Sequence, residues 1–186
     1  MNRLLDITLS LTFFIVSPPL ILLISAAIKT SSKGTILYWS ERVGQGDETF
    51  LMPKFRTMLK DTPQTATHLL GDPNQHLTPI GNFLRKSSLD ELPQFFSVLK
   101  GDMSLVGPRP ALFNQYDLRE LRVLKNIDDL KPGITGWAQV NGRDQNSITE
   151  KVELDKEYYE MRSFSFDLHI IYLTLLKVIK KDGVSH

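Results

Sequence analysis

Cysteine is missing entirely from the 186 residues. Its absence excludes a disulfide scaffold, a thiolate zinc site and a cysteine nucleophile together, so any nucleophile is oxygen or nitrogen. An excess of charge is missing too. The 22 Lys and Arg stand against 21 Asp and Glu, a formal net charge of +1, which argues against a nucleic-acid binder working through a broad basic surface. The sequence also lacks a GxxxxGK phosphate loop, an HExxH helix and a GxSxG elbow. Gly44-Gln45-Gly46 has neither the third glycine nor the strand-to-helix setting of a dinucleotide fold. No internal repeat or low-complexity linker is present.

What the chain does have is a concentrated apolar segment. Ile7 to Ile28 is a run of 22 residues without a charge, and fifteen of them are hydrophobic. As a helix it would reach roughly 33 Å, enough for a hydrocarbon core of about 30 Å. Ser17-Pro18-Pro19 sits at its centre, and prolines there lack an amide proton and clash with the carbonyl four residues back. Three readings stay open. Arg3 and the small residues Ser25-Ala26-Ala27 suit a cleaved signal peptide, although the run is long for one and Asp6 lies in its leading flank. A kinked spanning helix is compatible with membrane tolerance of proline. A re-entrant hairpin would use Ser17 to satisfy a carbonyl at the break. It would place the basic flanks Arg3, Lys29 and Lys33 on one cytoplasmic side.

The remainder reads as an ordinary α+β body. Ile36 to Trp39, and Thr49 to Met52 with Phe55, predict a β-hairpin across Gly44-Gln45-Gly46-Asp47. Residues 60 to 79 read as a polar loop with at most one helical turn, in which His68 and His76 are solvated. Ile80 to Leu99 has helical periodicity, with Pro93 requiring a new helix to start at Asp90 to Leu92. Further helices are expected over Ala111 to Leu124, Thr149 to Arg162 and Phe166 to Lys180, with a turn-rich stretch from Lys131 to Gly142. The last helix, with Lys177, Lys180 and Lys181 at its end, suits either a core helix with cations at its negative pole or an interfacial helix on anionic lipid.

Asp90-Glu91 is the sharpest chemical feature, with Arg85 upstream. The bland reading is capping, by Asp90 as N-cap or by a Ser88 to Glu91 box. The functional reading is a phosphate site: a helix start attracts phosphate, arginine clamps it, and a carboxylate there attacks phosphorus or holds magnesium. Arg56, Arg109 between two prolines, and Arg143 after Asn141-Gly142 could supply the neutralising charge.

Leu89-Asp90-Glu91-Leu92-Pro93-Gln94, followed by Leu99-Lys100-Gly101-Asp102-Met103-Ser104-Leu105-Val106-Gly107-Pro108-Arg109-Pro110, resembles the bacterial sugar transferases, the monotopic phosphoglycosyl transferases of the PglC-like kind. Lys54-Phe55-Arg56-Thr57-Met58, the segment from Lys131 to Arg143 and Ser17-Pro18 share that resemblance, in the same order along essentially the whole chain. The resemblance implies a re-entrant hairpin over residues 1–33, broken at Ser17-Pro18, and a catalytic domain over 34–186 on the cytoplasmic face of the bacterial inner membrane. It implies an α+β fold with a small β-hairpin and several amphipathic or interfacial helices around the active site. The implied reaction is transfer of a sugar-1-phosphate from a UDP-sugar to undecaprenyl phosphate with release of UMP. It would be the first membrane step of glycan assembly.

By the same resemblance Asp90 is the nucleophile, Glu91 with Asp90 binds Mg²⁺, and Arg85 and Arg109 hold phosphate. Lys54, Arg56, Arg143 and Asp155 are further substrate contacts. Ser40 stands where the family suggests Gln, and Asp144 where it often has Asn. The chain resembles the minimal, single-activity form, without a multi-helix N-terminal region or a fused C-terminal domain. Membrane lipid, other glycan-assembly enzymes and a second copy are the implied partners. A single-step Mg²⁺-dependent transfer and a non-catalytic membrane adaptor are the competing expectations.

Overall fold

The computed structural model describes residues 3–60, 62, 73–142 and 146–180. Arg143, Asp144 and His68 lie outside the described residues. The fold is α+β: eight helices, two two-stranded sheets and short 3₁₀ turns among the described residues.

The apolar run forms α1 (Arg3–Val16) and α2 (Pro18–Ser31), bent by 65° at their junction. Hydroxyls inside these helices bond back to the preceding turn, Thr8 and Thr12 to the Leu4 and Thr8 carbonyls and Thr30 to Ala26, whereas the Ser10 hydroxyl is buried without a partner. The bend arises because Pro18 and Pro19 cannot donate to Phe14 and Ile15, while the Ser17 amide still reaches the Phe13 carbonyl at 2.8 Å. The expectation that the Ser17 side chain satisfies a carbonyl is not met, since its hydroxyl is buried without a hydrogen-bond partner. No single helix among the described residues is long and apolar enough to cross a membrane.

β1 (Leu37–Val43) and β2 (Thr49–Phe55) pair antiparallel from Leu37 opposite Phe55 to Val43 opposite Thr49. The expected hairpin is present but longer, because the polar residues Ser40, Arg42 and Lys54 continue the strands on a face that is covered. The turn carries Gly46 and Asp47 at positive φ, and Arg119 holds the Asp47 carboxylate at 2.6 and 2.9 Å.

α3 (Gly81–Lys86) stops at Ser88, whose φ of 55° is left-handed. A 3₁₀ turn over Leu89–Gln94 then runs directly into α4 (Phe95–Lys100). The single periodic stretch from Ile80 to Leu99 is therefore interrupted, as Pro93 required, with the new start at Leu89. β3 (Ser104–Val106) lies parallel to β4 (Gly133–Thr135). At their crossing a Cβ on Gly107 would sit 2.3 Å from the Lys131 carbonyl, and one on Gly133 2.2 Å from the Gly107 amide. Only glycine allows these backbones to meet.

The segment after β3 stays extended, tied by the Val43 amide to the Ala111 carbonyl. α5 (Tyr116–Leu124) consequently begins later than Ala111. After the one-turn α6 (Trp137–Val140), α7 (Ile148–Met161) opens with a full Ser147–Glu150 capping box, and α8 (Phe164–Lys180) closes the described chain. α8 buries Asp167 and Ile170 and exposes Phe164, Leu168, Tyr172 and Leu175. It is a core helix on one side with an uncovered apolar stripe on the other. The main core joins Met52, Val98, Met103, Val106, Tyr158 and Ile170, while a second cluster seats Ile24 and Ile28 of α2 against Phe55 and Leu84.

Candidate active site

The 3₁₀ turn carrying Asp90 and Glu91 packs under the covered face of the β-hairpin. Period-two alternation puts Arg42 of β1 and Lys54 of β2 on that face. Lys54 Nζ donates to Glu91 Oε1 at 3.2 Å, and Arg109, on the loop leaving β3, donates to the same oxygen at 2.8 Å. Arg85 approaches from α3, anchored by its Nε to the Thr57 hydroxyl at 3.0 Å. Two adjacent carboxylates thus face Arg42, Lys54, Arg85 and Arg109.

Capping does not account for the pair. Ser88 occupies the cap position in a left-handed conformation and makes no side-chain capping bond, and Asp90 lies inside the turn.

The two acids have different environments. Glu91 is committed to Lys54 and Arg109. Asp90 is 8% exposed, and its carboxyl is pushed up to about 6, first by burial and then by the Glu91 anion, against the opposing pull of Lys54, Arg85 and Arg109. Burial likewise depresses the Lys54 ammonium. It lowers the Arg42 guanidinium to about 10, with Arg109 adding like-charge repulsion. Cations crowded together, each unfavourable to its neighbours, have the electrostatics that suit an anion with several charges.

Arg42 is the member that motif reasoning did not single out as a contact. Its Nε donates to Ser40 Oγ at 2.9 Å and its Nη1 to the Pro110 carbonyl at 3.2 Å. Ser40, where the resemblance suggested Gln, is thus an orienting partner for this arginine. The period-two alternation that puts Ser40 and Arg42 on the same face of β1 was the signal that could have found it.

Two expected contacts lie elsewhere. Arg56 gives its guanidinium to the Ser32 hydroxyl at 2.9 Å and to the Ser32 and Lys33 carbonyls, at the C-terminus of α2. Asp155 is buried in α7 and accepts from Arg122 at 2.6 and 3.0 Å. Arg122 in turn donates to the Arg109 carbonyl at 2.9 Å, so Asp155 reaches the site only through that chain.

Among the described residues no group of three or more His, Asp or Glu side chains forms a metal cage. Two adjacent carboxylates nevertheless fit Mg²⁺, which takes one or two carboxylate oxygens and completes its shell with phosphate oxygens and water.

The family profile described as "Bacterial sugar transferase" matches residues 1–181. "Uncharacterized sugar transferase EpsL" of Bacillus subtilis is 39% identical over 184 residues, which is 99% of this chain and 90% of the relative. "UDP-glucose:undecaprenyl-phosphate glucose-1-phosphate transferase" of Escherichia coli is 40% identical over 95% of this chain. "UDP-N-acetylgalactosamine-undecaprenyl-phosphate N-acetylgalactosaminephosphotransferase" of Aeromonas hydrophila is 36% identical over 89% of it. This chain spans 40% of the length of each of these last two.

Proposed function

The chain belongs to the bacterial sugar transferase family, and from that premise we propose that it moves a sugar-1-phosphate from a UDP-sugar to undecaprenyl phosphate, releasing UMP. The observation that carries the proposal is Asp90: a buried carboxylate with its pKa raised to about 6, beside Glu91 and within the field of Lys54, Arg85 and Arg109, with Arg42 acting on Glu91. Such a group is ionised at neutral pH, yet it is less stabilised than its salt-bridged neighbour. That combination suits a nucleophile.

In the first step an Asp90 carboxylate oxygen forms a bond to the β-phosphorus of the UDP-sugar. The bond from that phosphorus to the bridging oxygen breaks, and UMP leaves with the oxygen and its electron pair. In the second step a phosphate oxygen of undecaprenyl phosphate attacks the same phosphorus and displaces the Asp90 carboxylate. Arg85 and Arg109 hold phosphate oxygens, Arg42 and Lys54 add positive charge above them, and Glu91 keeps Lys54 and Arg109 in place. Asp90 and Glu91 would hold Mg²⁺, which when bound supplies positive charge to the diphosphate. Splitting the transfer in two lets a soluble donor and a lipid acceptor use one site in turn.

The 65° bend between α1 and α2, with Arg3, Lys29 and Lys33 flanking the apolar run, supports a hairpin that enters and leaves by one face. The exposed stripe of α8 would lie on the same lipid surface. On this reading Asp90 would face the cytoplasm, where the donor is soluble and the acceptor arrives in the membrane plane. Incubation with Mg²⁺ and a radiolabelled UDP-sugar, without lipid acceptor, tests the scheme. A stoichiometric UMP burst and a label on Asp90 are expected. UMP release only when lipid is added, with no label, would replace the two-step scheme by a direct transfer. No release from any UDP-sugar would overturn the transferase reading.

A further inference from the structure

The first turns of α1 carry two charged side chains that reach into the catalytic body. Asp6, 3% exposed, accepts from the Leu105 amide at 3.0 Å and from the Ser104 hydroxyl at 2.9 and 3.1 Å. Arg3 donates to the Leu99 carbonyl at 2.7 Å and to the Val98 carbonyl. These carbonyls end α4, where a helix leaves acceptors unmet and a cation is favoured. Ten residues beyond Arg3, the Phe13 ring stacks on Phe95 with centroids 4.1 Å apart and planes 12° from parallel. α1 therefore runs antiparallel along α4, with Arg3 at its end and Phe13 at its start.

The two gripped segments are the ones that deliver the reactive groups. α4 continues directly from the 3₁₀ turn bearing Asp90 and Glu91. Ser104 and Leu105 begin β3, which leads through Gly107 and Pro108 to Arg109. The Arg109–Glu91 bond of 2.8 Å closes the loop on the far side. Arg3 and Asp6 are three residues apart on one helix face, so a single rigid turn spans both branches.

We propose that Arg3 and Asp6 form a positioning clamp that sets the spacing between the Asp90-Glu91 turn and Arg109, making the apolar hairpin part of the catalytic geometry as well as an anchor. Neither side chain touches substrate. Both act through backbone groups of α4 and β3. A charged residue buried against the body from an otherwise apolar helix is costly unless it is fully used, and Asp6 is used on three contacts.

The test compares Asp6→Ala and Arg3→Ala with the conservative Asp6→Asn and Arg3→Lys in lipid nanodiscs. Asn retains an acceptor for the Leu105 amide and a polar partner for Ser104. The activity part rests on the proposed transferase reading: the Ala variants should lose about tenfold to a hundredfold in kcat for UMP release, as displaced reactive groups do, with the KM for UDP-sugar within about threefold. The conservative variants should recover most of kcat. Hydrogen exchange supplies a readout independent of activity. Amides of 89–100 and 104–109 should exchange faster in the Ala variants, while those of β1, β2, α5 and α7 stay at the wild-type rate. Unchanged kcat, an Asn variant as poor as the Ala variant, or exchange raised evenly over the whole chain would each overturn the clamp. If the wild type releases no UMP, the transferase reading falls separately and the exchange pattern alone decides.

Discussion

Replacing Asp90 with Asn should make the protein more stable at neutral pH while abolishing turnover. The Asp90 carboxyl rises from 3.8 to about 6 in the folded chain, chiefly through burial. Roughly two pKa units at about 1.4 kcal/mol each mean that the ionised group costs the folded state about 3 kcal/mol. The sign follows from proton uptake. Between about pH 3.8 and 6 the folded chain binds more protons here than the unfolded chain, so wild-type stability declines as pH rises through that window. Asn has no such decline. The difference between variant and wild type should be absent below pH 3.8, open across the window and stay level above about 6. Because part of the shift comes from the Glu91 charge and the variant leaves the surrounding cations with one carboxylate fewer, a net gain of about 1 to 3 kcal/mol is expected, or a midpoint roughly 5 °C higher for a chain of this size. Thermal unfolding in detergent without metal or nucleotide, from pH 4 to 8, measures it. A variant less stable than wild type at pH 7.5, or a gain that does not change with pH, would refute the electrostatic account of Asp90.

Arg42→Gln should raise the KM for UDP-sugar about tenfold, the loss of one charge-assisted contact, with little change in unfolding midpoint. An unchanged KM in UMP-release assays would remove Arg42 from the phosphate contacts. Asp155→Asn should lower stability by about 1 to 3 kcal/mol, because it leaves the Arg122 guanidinium beside a neutral partner, and should leave KM for UDP-sugar unchanged. A raised KM at a wild-type midpoint would make Asp155 a substrate contact. With single cysteines introduced as Asn2→Cys and Lys33→Cys, a membrane-impermeant thiol reagent should reach both from the cytoplasmic side only. In the Pro18→Ala/Pro19→Ala background a straightened helix should carry one of them across. Labelling from opposite faces in the chain with its prolines intact would exclude the hairpin.

The parts of the fold legible in the sequence were those with local causes. Pro18 and Pro19 announce the bend because the lost amide protons act within one helical turn. Pro93 announces the break before α4 for the same reason. The ends of the β-hairpin were harder, since Ser40, Arg42 and Lys54 are polar and their burial depends on the turn of Asp90 folding beneath them. The β3–β4 pair was hidden in a stretch that reads as turns, because what joins it is a backbone contact between Gly107 and Gly133 across a wide separation in sequence. The site divides in the same way. Asp90, Glu91, Arg85, Arg109 and Lys54 are brought together. Arg56 and Asp155 are instead taken by α2 and Arg122, and an arginine in a motif carries no mark of which acceptor it will find.

The near-zero net charge of +1 conceals how unevenly charge is distributed. Around Asp90 and Glu91 four cations face two carboxylates, and burial lowers the pKa of both Arg42 and Lys54, with neighbouring cations adding to it. Merely lining a surface with arginine would create the same excess without a preference for where an anion binds. Here every cation is held by a protein acceptor: Arg42 by Ser40 and the Pro110 carbonyl, Lys54 and Arg109 together by Glu91, and Arg85 by Thr57. Since the anchors come from four segments of chain, the positive field is fixed before any ligand arrives, and the diphosphate of the proposed donor would meet donors already oriented. That preorganisation is worth its cost only if Asp90 stays beside the same point. The contacts of α1 with α4 and β3 act on that distance. An apolar hairpin serving only as an anchor would need no Arg3 or Asp6 reaching into the body, whereas one that also sets the reaction geometry does.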